Sequence, residues 1–127
     1  MDGEIGDASA LKLCYATLTK GFTALGAASA AAASRAGVAD ALQRELAASQ
    51  PAMLAYLTRA VPTMFSKAYR WVGEMEEIAQ FYERNGERAA FEGIAALYER
   101  LAQDQAGPQA EIDVLAKFFA QATAEKL

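Results

Sequence analysis

Residues 7–37, DASALKLCYATLTKGFTALGAASAAAASRAG, decide the fold class. Asp7 and Ser9 can both cap helical amides, and no strong breaker follows before Gly37, so the stretch predicts one helix of about 28 residues, about 42 Å long. Leu11, Tyr15, Leu18, Phe22 and Leu25 recur every three or four residues and make an apolar stripe. From Ala27 to Ala33 the helix is almost wholly alanine and serine, a surface that another helix can approach closely. A helix this long and apolar on several sides belongs in the middle of a bundle or between two subunits.

The remaining sequence supports the same reading. The chain has 127 residues and 54% apolar content, enough for a single compact domain over 1–127. It contains 31 alanines against 14 valines, isoleucines and threonines together, so helix formers dominate strand formers. After Gly37 the pattern predicts a short helix over Ala39–Ala48 with Leu42 and Leu46, and a third opening at Pro51 with Leu54, Leu57 and Val61 buried. Pro62 should kink or break that element. A fourth helix is expected over Ser66–Asn85, with Tyr69, Val72, Met75, Ile78, Ala79 and Tyr82 on one side and Gly86 as its stop. A fifth is expected over Arg88–Gln103 with Phe91, Ile94, Leu97, Tyr98 and Leu101. After the Gly107-Pro108 turn, a sixth over Glu111–Glu125 carries Ile112, Leu115, Phe118 and Phe119. The expected architecture is all-α, a six-helix bundle around a long central N-terminal helix.

Absent residue types narrow the chemistry. Without histidine there is no Ser-His-Asp or Cys-His couple, no His-ligated zinc and no histidine switch. A single cysteine, Cys14, makes no internal disulfide and reads as a small buried hydrophobe. Twelve basic and 16 acidic residues give a net charge of −4, and no basic run interleaves with aromatics, so nucleic acid is not an expected partner. The uncharged run from Gly21 to Ser34 is too short and too rich in alanine and glycine for a membrane span, and the acidic start Met1-Asp2-Gly3-Glu4 is unlike a signal peptide. The expected location is the cytoplasm. Glu74 and Glu77 share a helix face, but without histidine or neighbouring aspartates no metal site is expected.

One segment carries a specific signature. Gly3-Glu4-Ile5-Gly6-Asp7-Ala8-Ser9-Ala10-Leu11-Lys12 resembles the glycine-rich helix start followed by lysine of the 6-phosphogluconate dehydrogenase and β-hydroxyacid dehydrogenase superfamily, G-x-x-G-x-G-x-x-x-K. Gly3, Gly6 and Lys12 fall in place; Ala8 stands at the third glycine and Ala16 where the family has an asparagine. The run from Ala8 to Gly21, with Lys67-Ala68-Tyr69-Arg70-Trp71-Val72-Gly73-Glu74-Met75-Glu76-Glu77-Ile78, is similar to the C-terminal helical domain of phosphogluconate-dehydrogenase-like oxidoreductases. The resemblance implies a substrate-side domain that dimerises and works with a Rossmann domain carrying NAD or NADP. This chain has no G-x-G-x-x-G after a strand, so no cofactor is expected on it and no activity from it alone.

The resemblance assigns roles to Lys12 and the glycines before it, and helical spacing adds weaker candidates. Lys12 is the expected general acid/base for a hydroxy acid, a task that needs its ordinary pKa of ~10.4 lowered by burial or a neighbouring cation. Gly6 lets backbone approach the ligand, and Ser9 either contacts substrate or only caps the helix. Tyr15, three residues after Lys12, places a hydroxyl beside the amine or packs in the core. Lys67 and Arg70, three apart, either clamp a substrate anion or lie solvated on the surface. Trp71 is a core or interface anchor. Two other readings stay open: a stand-alone helical dimeric interaction module without catalysis, and a bundle that carries a fatty ligand.

Overall fold

Asp7–Ala36 form a single helix, α1, of 30 residues and about 45 Å. It stops at the glycine that the sequence marks: Gly37 takes φ +78°, and the amides of Gly37 and Val38 close on the carbonyls of Ser34 and Ala33. The computed structural model describes residues 6–126, with side chains as far as 120. After α1 come α2 (Ala39–Ser49), α3 (Pro51–Met64), α4 (Ala68–Phe81), α5 (Arg88–Ala106) and α6 (Ala110–Lys126), with a 3-10 turn, Glu83–Asn85, between α4 and α5. Among the described residues there is no strand, and the protein is an all-α six-helix bundle with a long first helix that packs against all five others.

Local chemistry places the helix ends. Pro51 opens α3 in its first turn, where a missing amide hydrogen costs nothing. Gly86, at φ +88°, ends the 3-10 turn. The Asp104 carboxylate reaches across the Gly107-Pro108 turn and accepts hydrogen bonds from the amides of Ala110 (3.0 Å) and Ile112 (2.8 Å), which capping side chains usually satisfy.

The core lies on the alanine side of α1. Ala24, Ala27, Ala30 and Ala31 are buried against Leu57, Val61 and Met64 of α3, Met75 and Ile78 of α4, Tyr98 and Leu101 of α5, and Leu115, Phe118 and Phe119 of α6. The approach is closest at Gly26, where an added Cβ would stand 2.5 Å from Leu57 Cδ2. The small residues of α1 thus serve packing inside the chain.

Several expectations are corrected. The stripe Leu11, Tyr15, Leu18 and Leu25 is 62–73% exposed, and only Phe22 of that series is half-buried. Cys14, read as a buried hydrophobe, is exposed beside the stripe. Ser9 does not cap α1, because the helix starts two residues earlier with Gly6 at the capping position. Pro62 does not break α3: it sits in the final turn, so the helix loses little backbone bonding and continues to Met64. The expected fourth helix is divided, because Tyr82 leaves helical geometry at φ −96°, ψ 7° and the chain tightens into the 3-10 turn. Tyr69 is 68% exposed rather than facing the core with Met75 and Ile78. In α2 the buried residue is Gln43, with Leu42 and Leu46 half-buried.

Candidate functional site

At 100° per residue, Lys12, Tyr15, Thr19 and Thr23 fall within one narrow face of α1. The lower part of that face forms one wall of a cleft of about 400 Å³. Tyr15, Thr19, Lys20 and Thr23 come from α1, Tyr56, Arg59, Ala60 and Thr63 from α3, and Trp71 from α4.

Lys20 organises this cleft. Its side chain is four-fifths buried, its Nζ lies 3.1 Å from Glu74 Oε1, and the ammonium sits 4.9 Å from the centroid of the Trp71 ring. The contact with the negative face of the indole and the carboxylate together compensate the partial burial of charge. The Lys20 carbonyl accepts a 2.6 Å hydrogen bond from the Tyr98 hydroxyl, and Tyr98 stands edge-on to Trp71 at 5.3 Å. α1, α4 and α5 are therefore tied together at Lys20. Burial above all, and the nearby Tyr56, push the Tyr98 phenol well above the usual tyrosine range, so it acts here only as a donor.

On the opposite wall, the Arg59 guanidinium lies 5.6 Å from the Tyr56 ring, which packs in turn on Phe22. Among the described residues no carboxylate stands within ion-pair distance of Arg59. The hydroxyls of Thr19, Thr23 and Thr63 each donate to a carbonyl one turn back, at 3.3, 2.7 and 2.7 Å. Their hydrogens are thereby committed, and the capacity left on their oxygens is that of acceptors.

The residues singled out in the sequence are distributed unevenly. Tyr15 lines the cleft. Lys12 lies one turn above it, exposed and outside the lining. Gly6 and Ser9 are exposed at the start of the same helix, whereas Gly3 lies outside the described residues. Lys67, half-buried, occupies the capping position of α4, and Arg70 stands exposed with its guanidinium 6.0 Å from the Tyr69 ring; neither lines the cleft. Glu74 serves Lys20, and among the described residues no group of three possible metal ligands occurs. Lys20, Thr23, Tyr56 and Arg59 were not singled out. For Thr23 a signal exists, since it continues the Lys12, Tyr15, Thr19 face, but α1 and α3 are joined only by tertiary packing.

Two other hollows differ in character. A groove of about 390 Å³ between α4 and α5 is lined by Glu76, Glu92 and Glu99 around Arg88, which pairs with Glu83 (2.6 Å) and Glu92 (2.8 Å). An apolar hollow of about 190 Å³ lies among Phe22, Leu46, Met53, Leu57 and Phe118. It has room for a guest of roughly benzene size rather than a long acyl chain. No helix of the described residues is long and apolar enough to cross a membrane.

No curated protein and no solved structure matches the chain. A family model described as Domain of unknown function (DUF1932) matches residues 33–101, from the end of α1 to α5, and so takes in Tyr56, Arg59 and Trp71 of the cleft. That match spans just over half of the sequence, and it accords with the glycine and lysine pattern that precedes it and with the helical architecture. The chain therefore belongs to the DUF1932 family, the C-terminal domain of 6-phosphogluconate and β-hydroxyacid dehydrogenase-like proteins.

Proposed function

We propose that this chain is the substrate-side, dimer-forming domain of an NAD(P)-dependent oxidoreductase of the hydroxyacid dehydrogenase type, with Lys12 as general acid/base toward a hydroxy acid. The observation that carries the reading is the family membership combined with the position of Lys12, on the α1 face that runs down into the cleft. Oxidation of a secondary alcohol requires a group to take the hydroxyl proton, and the reverse direction requires the same group to return it. Lys12 lies in the second turn of α1, on the face that continues into the cleft. In the proposal the Rossmann domain, joined in cis or in trans, covers this end of α1 and takes the amine out of bulk water.

Among the described residues no strand feeds a glycine turn into a helix, the arrangement that grips a nicotinamide dinucleotide, so this chain's residues do not fit that cofactor. In the proposal NAD or NADP belongs to the Rossmann domain. What the present residues contribute is a proton-carrying amine, the hydroxyl of Tyr15 one turn below it, and the open backbone at Gly6.

The exposed stripe supports the dimer. Leu11, Leu18 and Leu25 recur every seven residues with Tyr15 beside them, a row of large apolar side chains facing solvent in the single chain. The same stripe favours the second reading, a dimeric interaction module without turnover. Ala8 and Ala16, where the family has glycine and asparagine, lean the same way.

Lys12→Ala in the protein that joins this domain to a Rossmann domain separates the two readings. The expected loss in kcat/KM is about 10²–10⁴-fold, with unchanged helical circular dichroism. Turnover within a few-fold of the parent would remove Lys12 from the mechanism.

A further inference from the structure

We infer that the cleft between α1, α3 and α4 is a binding site for a small hydroxylated aromatic carboxylate, held by Arg59 and Lys20 between the rings of Tyr15, Tyr56 and Trp71. This goes beyond the dehydrogenase reading, because none of the groups that would hold the ligand is Lys12.

Charge is the first argument. The molecule carries a net −4, yet the cleft lining has two cations and no carboxylate, in contrast to the glutamate-lined groove between α4 and α5. Arg59 has no carboxylate partner among the described residues, and a guanidinium presents a fork that matches the two oxygens of a carboxylate. Lys20 has three N–H donors; Glu74 takes one, and the indole face takes up the ammonium from another side. An anion entering the cleft therefore meets one free fork and a second cation with a donor to spare.

The walls and the floor narrow the ligand further. One aromatic ring comes from each of the three helices, so the lining offers aromatic surface to a flat apolar body. Thr19 and Thr63, like the buried Thr23, have spent their hydrogens inside their own helices, which leaves only acceptor capacity on the hydroxyls of the lining. Such a floor favours hydroxyl groups on the ligand, which donate, over carbonyl groups, which do not. The volume of about 400 Å³ lies within the range of small-molecule sites, about 300–1,000 Å³. Inorganic phosphate would satisfy the cations but would leave the rings without a partner.

The chain has a single tryptophan, and it lines the cleft, so its indole N–H resonance reports occupancy directly. Titration of the full chain with 4-hydroxybenzoate should move that resonance saturably at millimolar concentration or below. Benzoate should bind more weakly, and acetate and inorganic phosphate about tenfold or more weaker than 4-hydroxybenzoate. Arg59→Gln, at an exposed position, should weaken 4-hydroxybenzoate about tenfold with the ligand-free indole resonance unmoved. The inference is overturned if the resonance does not respond to the aryl acid, if phosphate or acetate binds as tightly, or if Arg59→Gln has no effect on affinity.

Discussion

Tyr98 and Gln43 show what single residues contribute and why only one of them is legible in the sequence. Tyr98 lies in the apolar pattern of α5 and is expected in the core; what the pattern does not reveal is that its hydroxyl reaches the Lys20 carbonyl at 2.6 Å. Burial raises the phenol pKa in the folded protein above its unfolded value of about 10. Below that pH both states keep the proton. Above it the unfolded chain ionises while the folded phenol resists, so stability falls as pH rises, with a limiting slope of about 1.4 kcal/mol per pH unit for this one group. Tyr98→Phe should cost about 1 kcal/mol at neutral pH and flatten the decline above pH ~10, which urea titrations at a series of pH values would measure. Gln43 was unreadable: a polar residue between two leucines reads as solvated, yet it is buried and its Nε2 donates to the Phe118 carbonyl of α6. Its Oε1 has no partner among the described residues, and a contact 75 residues away in sequence leaves no local pattern.

At the scale of elements, legibility follows the strength of the stop signals. α1 and α2 begin and end within about two residues of their expected bounds, and α3 opens where expected, because Gly37 and Pro51 force the chain's hand. The break after Phe81 was not legible, since Phe81-Tyr82-Glu83 contains neither glycine nor proline and the turn is imposed by packing. The Tyr82 ring meets Phe81 edge-on at 5.2 Å and stacks on Phe91 at 4.6 Å, where α5 folds back against α4. The cap on α6 was missed for a different reason: its donor pair is served by Asp104, a residue of the preceding helix. Asp104→Ala should destabilise the domain by about 1 kcal/mol, seen as a lower midpoint in thermal or urea unfolding. An unaltered midpoint would mean that water serves those amides equally well.

Across the whole molecule, fold class and helix count were legible from alanine content and periodicity, while the direction in which α1 turns its large side chains was not. Periodicity finds the stripe Leu11, Leu18, Leu25 but carries no information on whether its partner lies in the same chain. In the structure the alanine side takes the core and the leucine side is left in water. Of the candidate site, Tyr15 and the Lys12 face were accessible from helical spacing; Arg59 and Tyr56 were not, because no sequence rule brings α3 against α1 at Thr23. If the stripe pairs with a second copy, sedimentation should give about 27 kDa, twice the monomer mass of 13.5 kDa. Leu18→Glu should return the protein to monomer without loss of helicity, because Leu18 is 73% exposed. A wild-type monomer at micromolar concentration would reject this dimer.

No residue of α1 before Leu13 is fully buried, so the helix overhangs the bundle by about a turn and a half and carries Lys12 on the projecting part. An end with so little buried side chain leans chiefly on its own backbone bonds, and deuterium should enter the amides from Ala10 to Lys12 far faster than those near Ala27. Whatever settles on that overhang must slow the uptake there first. The amine proposed to handle protons would thus sit on the segment whose isotope exchange registers docking, before any product is formed.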